Sequence, residues 1–242
     1  HADVEVRYQG LWLHRCRNDY FPDGRQFRYC RDDFRRWPHQ TDRWIDTAAD
    51  YWCYRGAPVA GETVIDVGAG RGEDSFAFSR AVGPVGRVIA IEAHPATFAM
   101  LQQCCELNRL ANVLPIHAAA LDHAGTALIG DCEDWRDNAI GESGEFSVPA
   151  STLDDICRSK APGPVGLLKL NIEGSETAAL RGASELLSRT RLVAVACHDF
   201  RADRGDGERF RTRAEVRRLL ESAGFEVVTR TKDPRLGVSH HV

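Results

Sequence analysis

The 242-residue sequence predicts an α/β domain, doubly wound about a mainly parallel sheet, with an N-terminal hairpin/helix extension. Three observations predict it. From residue 59 onward, short apolar runs alternate with helical patterns, the rhythm of strand–helix units. The runs are continuous rather than alternating, as strands covered on both faces are. The first run ends in a glycine-rich turn, "VIDVGAGRGEDS" at 64–75, and the second ends in an acid, Glu92.

The elements follow in order. "TVIDVG" (63–68) is a strand, with a helix near 73–82. "RVIAIEA" (87–93) is a second strand, followed by a helix near 95–109. "NVLPIHAAA" (112–120) is the third strand, with "TALIG" after it. "GLLKLNIEG" (166–174) leads into a helix near 176–188, and "LVAVAC" (192–197) into one near 212–223. "GFEVVTR" (224–230) is the last expected strand. Two stretches break the rhythm. Residues 1–58 are rich in aromatics and arginine and predict a hairpin near 4–30 and an amphipathic helix near 42–55. They form an extension to the cofactor-binding domain at 59–242 and serve as a lid, a packing segment or a dimer surface. Residues 131–150 carry six acids and one arginine and read as a long functional loop.

Composition narrows the function. The chain is 43% hydrophobic and 27% charged, with net charge −4, which provides no basic field for nucleic acid. No apolar run reaches the ~18 residues of a membrane span, and the start "HADVEVRYQG" has no signal-peptide core. The eight cysteines form no C-x-x-C pair. They read as reduced, buried thiols of a cytoplasmic protein rather than metal ligands.

The glycine spacing is informative. Gly68, Gly70 and Gly72 follow G-x-G-x-G, not the G-x-G-x-x-G of a dinucleotide loop, and no Walker lysine follows. Glu73 and Asp74 open the next helix, where two carboxylates repel a pyrophosphate but suit a ligand bearing an ammonium and a sulfonium. Glu92 lies twenty residues after Gly72, where a carboxylate accepts both ribose hydroxyls of an adenosine. Glycine loop and acid together describe S-adenosylmethionine.

The sequence "VIDVGAGRGEDSFAFSRAVGPVGRVIAIEAHPATFAMLQQCCELNRLANV" resembles the FkbM-type methyltransferases, as does "STLDDIC" followed by "LLKLNIEGSETAALRGA". The resemblance covers about residues 60–230 and implies a Rossmann-like methyltransferase sheet and methyl transfer from S-adenosylmethionine onto sugar or natural-product hydroxyls. It further implies roles for individual residues. Gly68 and Gly70 let the backbone approach the methionine portion, Asp66 and Glu73 hold its ammonium directly or through water, and Ser75 binds its carboxylate. Glu92 takes the ribose hydroxyls, with Ala93 beside the adenine and Ala119, within His117–Ala120, at the adenine edge. The family's Lys-x-Asp-x-Glu-Gly-x-Glu reads here Lys169, Asn171, Glu173, Gly174, Glu176. The asparagine is the main departure. It cannot be a base and is a poor hard-metal ligand, so its simplest role is to hydrogen-bond acceptor or cofactor.

Catalysis is expected from three residues. His198, after the fifth strand, is a candidate neutral base for an alcohol, while Asn171 and Glu173 position the acceptor. His94 reads as a pocket wall, His117 as a core or adenine-side residue, and His240 and His241 as surface. Asn171 with Asp199 supplies too little charge for a firm Mg²⁺ site, so no metal is expected. The stretch "FRADRGDGERFRTR" (200–213) holds five arginines and is either a solvated loop or a guanidinium surface for an anionic or carrier-bound acceptor. The leading reading is a cytoplasmic O-methyltransferase acting on a small molecule. N- or carboxyl methylation and a binding-only, degenerate methyltransferase domain are the alternatives.

Overall fold

The computed structural model describes residues 4–8, 11–16, 40–132 and 135–242. Strands β1 (Val4–Tyr8) and β2 (Leu11–Cys16) pair antiparallel. The rest of the predicted hairpin, residues 17–39, lies outside the described residues. Helix α1 (Gln40–Trp52) follows and buries Ala48 and Trp52.

The domain proper alternates as predicted. Strand β3 (Thr63–Val67) is followed by helix α2 (Glu73–Val82), β4 (Arg87–Glu92) by α3 (Pro95–Leu107), and then comes β5 (Val113–His117). A subsidiary sheet interrupts the rhythm, built from β6 (Ala119–Ala120), β7 (Gly125–Ile129), β8 (Ile140–Gly141) and β9 (Phe146–Ser151) in the order β6-β9-β7-β8. Helix α4 (Leu153–Arg158), capped by the Thr152 hydroxyl, leads to β10 (Val165–Leu170). Helices α5 (Glu176–Arg181) and α6 (Ser184–Ser188), strand β11 (Thr190–Val195), and helices α7 (Asp199–Asp203), α8 (Arg213–Ser222) and α9 (Leu236–Ser239) complete the chain.

The main sheet has the order β11-β10-β3-β4-β5, every neighbouring pair parallel. Its runs are mostly apolar because both faces are covered; Asp66 of β3 and Lys169 of β10 are buried charged exceptions. On one face Ile65, Val67, Leu168 and Leu170 pack with Leu180, Leu186 and Leu220. On the other, Val64, Val88, Ala90 and Leu167 pack with Phe76, Phe78 and Trp52. The chain winds outward from β3 through β4 to β5, then returns to the far side of β3 for β10. The switch point between β3 and β10 opens a crevice at the strands' C-terminal ends, where open α/β sheets place ligands.

Four expectations change. Residues 225–230 form no strand, although Phe225 and Val227 pack against the core. The pattern reports burial, not ladder partner, and at the end of β11 Val195 exchanges both backbone hydrogen bonds with Val242. Residues 131–150 are not one loop: they hold a 3₁₀ turn (Trp135–Asp137), β8 and most of β9. The helix expected over 176–188 splits at Gly182, where the Leu121 carbonyl approaches so closely that a Cβ would lie 2.3 Å from its oxygen. Among the described free cysteines, Cys157 and Cys197 are buried as expected but Cys132 is exposed. Burial pushes the Cys53 and Cys157 thiols up to about 11 and Cys105 up to about 12, which makes them unreactive.

Candidate active site

The turn after β3 is left-handed at each glycine, with φ of 71°, 57° and 100° at Gly68, Gly70 and Gly72. Gly68 is required twice over. Its φ disfavours any side chain, and a Cβ there would lie 1.9 Å from the Asn171 carbonyl oxygen at the end of β10. The turn is stitched to β4: the Gly68 and Ala69 N–H groups donate to the Ile91 carbonyl at 2.9 and 3.0 Å. Gly70 N–H donates to Glu92 Oε2 at 2.9 Å, and His94 N–H donates to Glu92 Oε1 at 2.8 Å. Burial pushes the Glu92 carboxyl up to about 7, against the opposing pull of these two N–H groups.

Gly68, Gly70, Glu73, Glu92, Asn171 and Glu173 line one cavity of about 570 Å³. Gly68, Glu92, Ala93, Ala119 and Asn171 also line an adjoining smaller hollow. The structure therefore brings most of the sequence-predicted cofactor residues together. An S-adenosyl group fits this donor set. Each Glu92 oxygen accepts one backbone hydrogen bond and retains a lone pair for a ribose hydroxyl. The small hollow beyond it is apolar at Ile91, Ala118, Ile129 and Ile140, as an adenine face requires. The Asn171 side chain is half-buried and has no polar partner among the described residues, so its amide is free for a ligand.

Two cofactor assignments do not hold. Asp66 is fully buried, and its oxygens are engaged by Lys169 Nζ at 2.8 Å and the Ser75 hydroxyl at 2.6 Å. Neither Asp66 nor Ser75 lines the cavity, which sets both apart from direct contact with the ammonium and the carboxylate. Their work is internal. The Lys169 ammonium also donates to the Gly68 carbonyl at 2.9 Å and lies 3.5 Å from Asp74. Burial pulls Lys169 down, but Asp66 and Asp74 outweigh it and hold the ammonium above its ordinary range. Sequence reasoning placed Asp74 with Glu73 beside a cationic ligand but missed the parts of Lys169 and Trp52. The lysine sits in the second family motif and Asp74 follows Glu73, but only the fold brings them into one cluster.

The acceptor side is built from the ends of β10 and β11. Glu173 sits at φ 49°, an uncommon left-handed conformation for a side chain-bearing residue. It is held there by His198 Nε2 on Oε1 and Arg201 on Oε2, each at 2.7 Å. His198 is buried, and its Nδ1 lies 2.7 Å from Glu176 Oε1. Burial opposes the charged imidazole, but Glu173 and Glu176 outweigh it and raise His198 to about 9. Both its nitrogens are thus engaged by carboxylates, an arrangement that favours the imidazolium over a free general base.

The other predicted residues find structural work. Asp199 accepts from the Thr212 and Arg213 N–H groups and so caps α8, away from Asn171. His94 does not line the cavity; it is buried and caps α3, accepting from Thr97. His117 stacks on Phe98 at 4.9 Å and contacts the Ala93 carbonyl. His241 is not on the surface. It is buried, stacks on Trp52 with centroids 5.0 Å apart, lines the main cavity and is pushed down to about 4 by burial. The arginine-rich stretch is largely self-neutralised: Arg201 pairs with Glu173 and Asp206, Arg204 with Asp206, and Arg211 with Asp203 and Glu208. Both irregular segments reach the site. Tyr51 and Trp52 of α1 form one wall and Trp135–Asp137 another, with the Arg71 guanidinium 4.7 Å above the Trp135 ring.

The model of the methyltransferase FkbM domain matches residues 66–227. A curated relative, the catalytic subunit of a tRNA (adenine(58)-N(1))-methyltransferase from Yarrowia lipolytica, is 35% identical over 80 residues, which are 33% of this chain and 21% of that protein. Among solved structures, an FkbM methyltransferase from Methylobacillus flagellatus is similar at 21% identity and TM-score 0.42, covering 57% of this chain and 33% of that one. The fibrillarin of Aeropyrum pernix, in complex with S-adenosyl-L-methionine, is similar at 17% identity and TM-score 0.44, covering 75% and 65%. The chain thus spans about a fifth of the curated relative and a third of the solved FkbM structure.

Proposed function

Because this chain belongs to the FkbM methyltransferase family and takes S-adenosylmethionine as its cofactor, we propose that it methylates a hydroxyl of a sugar or natural-product small molecule. The observation that supports this reading is the free Asn171 amide. It borders both the hollow beside Glu92 and the wider cavity that contains Glu173. An amide there hydrogen-bonds a neutral hydroxyl without adding charge.

The bound cofactor supplies a methyl group on a positively charged sulfur. The protein supplies position. Glu92, Gly68 and Gly70 seat the adenosine end of the site, and Asn171 orients the acceptor oxygen across the cavity. Holding two reactants in line can contribute about 7–11 kcal/mol of the barrier. The acceptor proton goes to Glu173, whose oxygens already accept from His198 and Arg201 but face the cavity with lone pairs to spare. His198 orients that carboxylate and takes no proton itself. Trp52 and Trp135 close the walls, which favours an acceptor with flat or ring-shaped apolar faces.

The test is turnover. Purified protein is incubated with S-adenosylmethionine and a panel of hydroxylated acceptors, each with its amine and carboxylic acid counterpart. Formation of S-adenosylhomocysteine with an O-methyl ether product is expected. Products methylated only on nitrogen or carboxylate, or cofactor binding without turnover of any acceptor, would overturn it.

A further inference from the structure

Helix α1 lies outside the matched family segment, yet its last residue is wired into the charge cluster beneath the glycine loop. Trp52 and Asp74 both line the main cavity. The Lys169 ammonium lies 5.1 Å from the Trp52 ring centroid. Asp74 is half-buried and lines the main cavity beside Gly68, Gly70 and Glu73, whereas Asp66 does not. The cluster holds two carboxylates, Asp66 and Asp74, against one ammonium. Asp66 is saturated by Lys169 and Ser75. The excess negative charge therefore resides on Asp74, at the cavity surface.

We propose that Asp74, held by Lys169 in the cavity that Trp52 of α1 also lines, is the carboxylate that receives the ammonium group of the bound amino-acid moiety, so that the N-terminal segment forms part of the cofactor site. This rests on S-adenosylmethionine being the cofactor. Asp74 fills the role rather than Asp66, which does not line the cavity, and rather than Glu73, which lines it but is paired with Arg71 at 2.6 Å. Trp52 contributes its ring to the same wall and lies against the Lys169 ammonium that pairs with Asp74.

The groups facing Asp74 are Lys169 from β10, Asp66 from β3, Glu73 on its own helix, and Trp52 and Cys53 from α1. Burial first, with Asp66 and Glu73, pushes Asp74 up to about 6, against the pull of Lys169 and Trp52. The preference for an ammonium is therefore full near neutral pH and falls as pH drops through about 6. The ligand's own α-ammonium stays charged throughout that range.

The test is calorimetry on the full chain with two ligands, S-adenosylhomocysteine and its analogue lacking the amino group, from about pH 5 to 7.5. Both carry the same ribose, so the titration of Glu92 cancels in their affinity ratio. In the parent the ratio should favour the amine by about 10- to 100-fold at neutral pH, the range of a charge-assisted hydrogen bond, and shrink below pH 6. Asp74→Asn should flatten the ratio to near unity, leave analogue affinity unchanged and keep cooperative unfolding. A parent ratio that does not change with pH, or an Asp74→Asn protein that retains the full preference, overturns the proposal. Failure of the parent to bind either ligand would instead overturn the cofactor reading.

Discussion

Nε2 of His198 lies 2.7 Å from Oε1 of Glu173, and its other ring nitrogen is equally close to Glu176. A histidine so placed is a fixed cation that orients the glutamate facing the cavity. The arrangement converts a residue that looks like a base in sequence into part of the scaffold for one.

The first prediction is a stability profile. His198 is raised from 6.5 to about 9 in the folded protein. Its ion pairs therefore contribute fully below about pH 6.5, and the contribution is lost as pH rises through about 9. His198→Gln should be less stable than the parent by about 2–3 kcal/mol at pH 6, with the gap closing above pH 9. Denaturant melts across that range check it. A gap that widens with pH would show that His198 is held neutral.

Glu92→Gln should lower S-adenosylhomocysteine affinity by about 2–4 kcal/mol, the loss of two charge-assisted hydrogen bonds. Glu92→Gln also leaves one of the Gly70 and His94 N–H groups facing an amide NH₂ and should destabilise the fold by about 1–3 kcal/mol, whereas Glu92→Ala leaves both unsatisfied and should cost about twice that. In the parent, affinity should weaken as pH falls through about 7, where Glu92 takes up its proton. Calorimetry and thermal melts separate the two effects. Equal affinity for parent and Glu92→Gln would remove the residue from the cofactor site.

The glycines of the turn should not be equivalent. Gly68→Ala forces a methyl against the Asn171 backbone and should cost about 3 kcal/mol or more. Gly70→Ala meets the Trp135 ring at 2.9 Å, which can swing aside, and should cost about 1–2 kcal/mol. Chemical denaturation ranks them. The reverse order would mean that the Trp135 segment is more rigid than the strand end.

Trp135 and the Arg71 guanidinium form the contact that lays residues 135–137 over the glycine loop. Trp135→Ala should leave the melting temperature within about 2 °C of the parent, since no core residue is touched. It should also speed proteolysis between residues 131 and 145. S-adenosylhomocysteine should slow that cleavage in the parent and not in the variant. Cleavage that ignores both ligand and substitution would leave this segment no part in closing the site.

Much of this molecule was legible along the chain. The continuous runs at 63–68, 87–93, 166–174 and 192–197 each carry a strand because a sheet covered on both faces favours apolar runs over polar alternation. The spacing of Gly68, Gly70 and Glu92 was legible because backbone conformation and short-range register are local properties. Each requires a given residue type at a given offset, and no distant partner changes that. The 225–230 segment was misread for the opposite reason: its apolar character is local, but the ladder partner of β11 is Val242 at the chain's far end.

The sequence by itself determined the sheet, the glycine turn, the acid of the second strand and the family. Tertiary structure alone decided which ionisable groups are free. Asp66 and Asp74 are eight residues apart and alike in chemistry. Lys169, more than 100 positions from Asp66, saturates that one and leaves the other at the cavity. His198 reads as a neutral base until Glu173 and Glu176 close on both its nitrogens. Charge state depends on what lies within a few ångströms and how much water remains. Those distances exist only once the chain has folded.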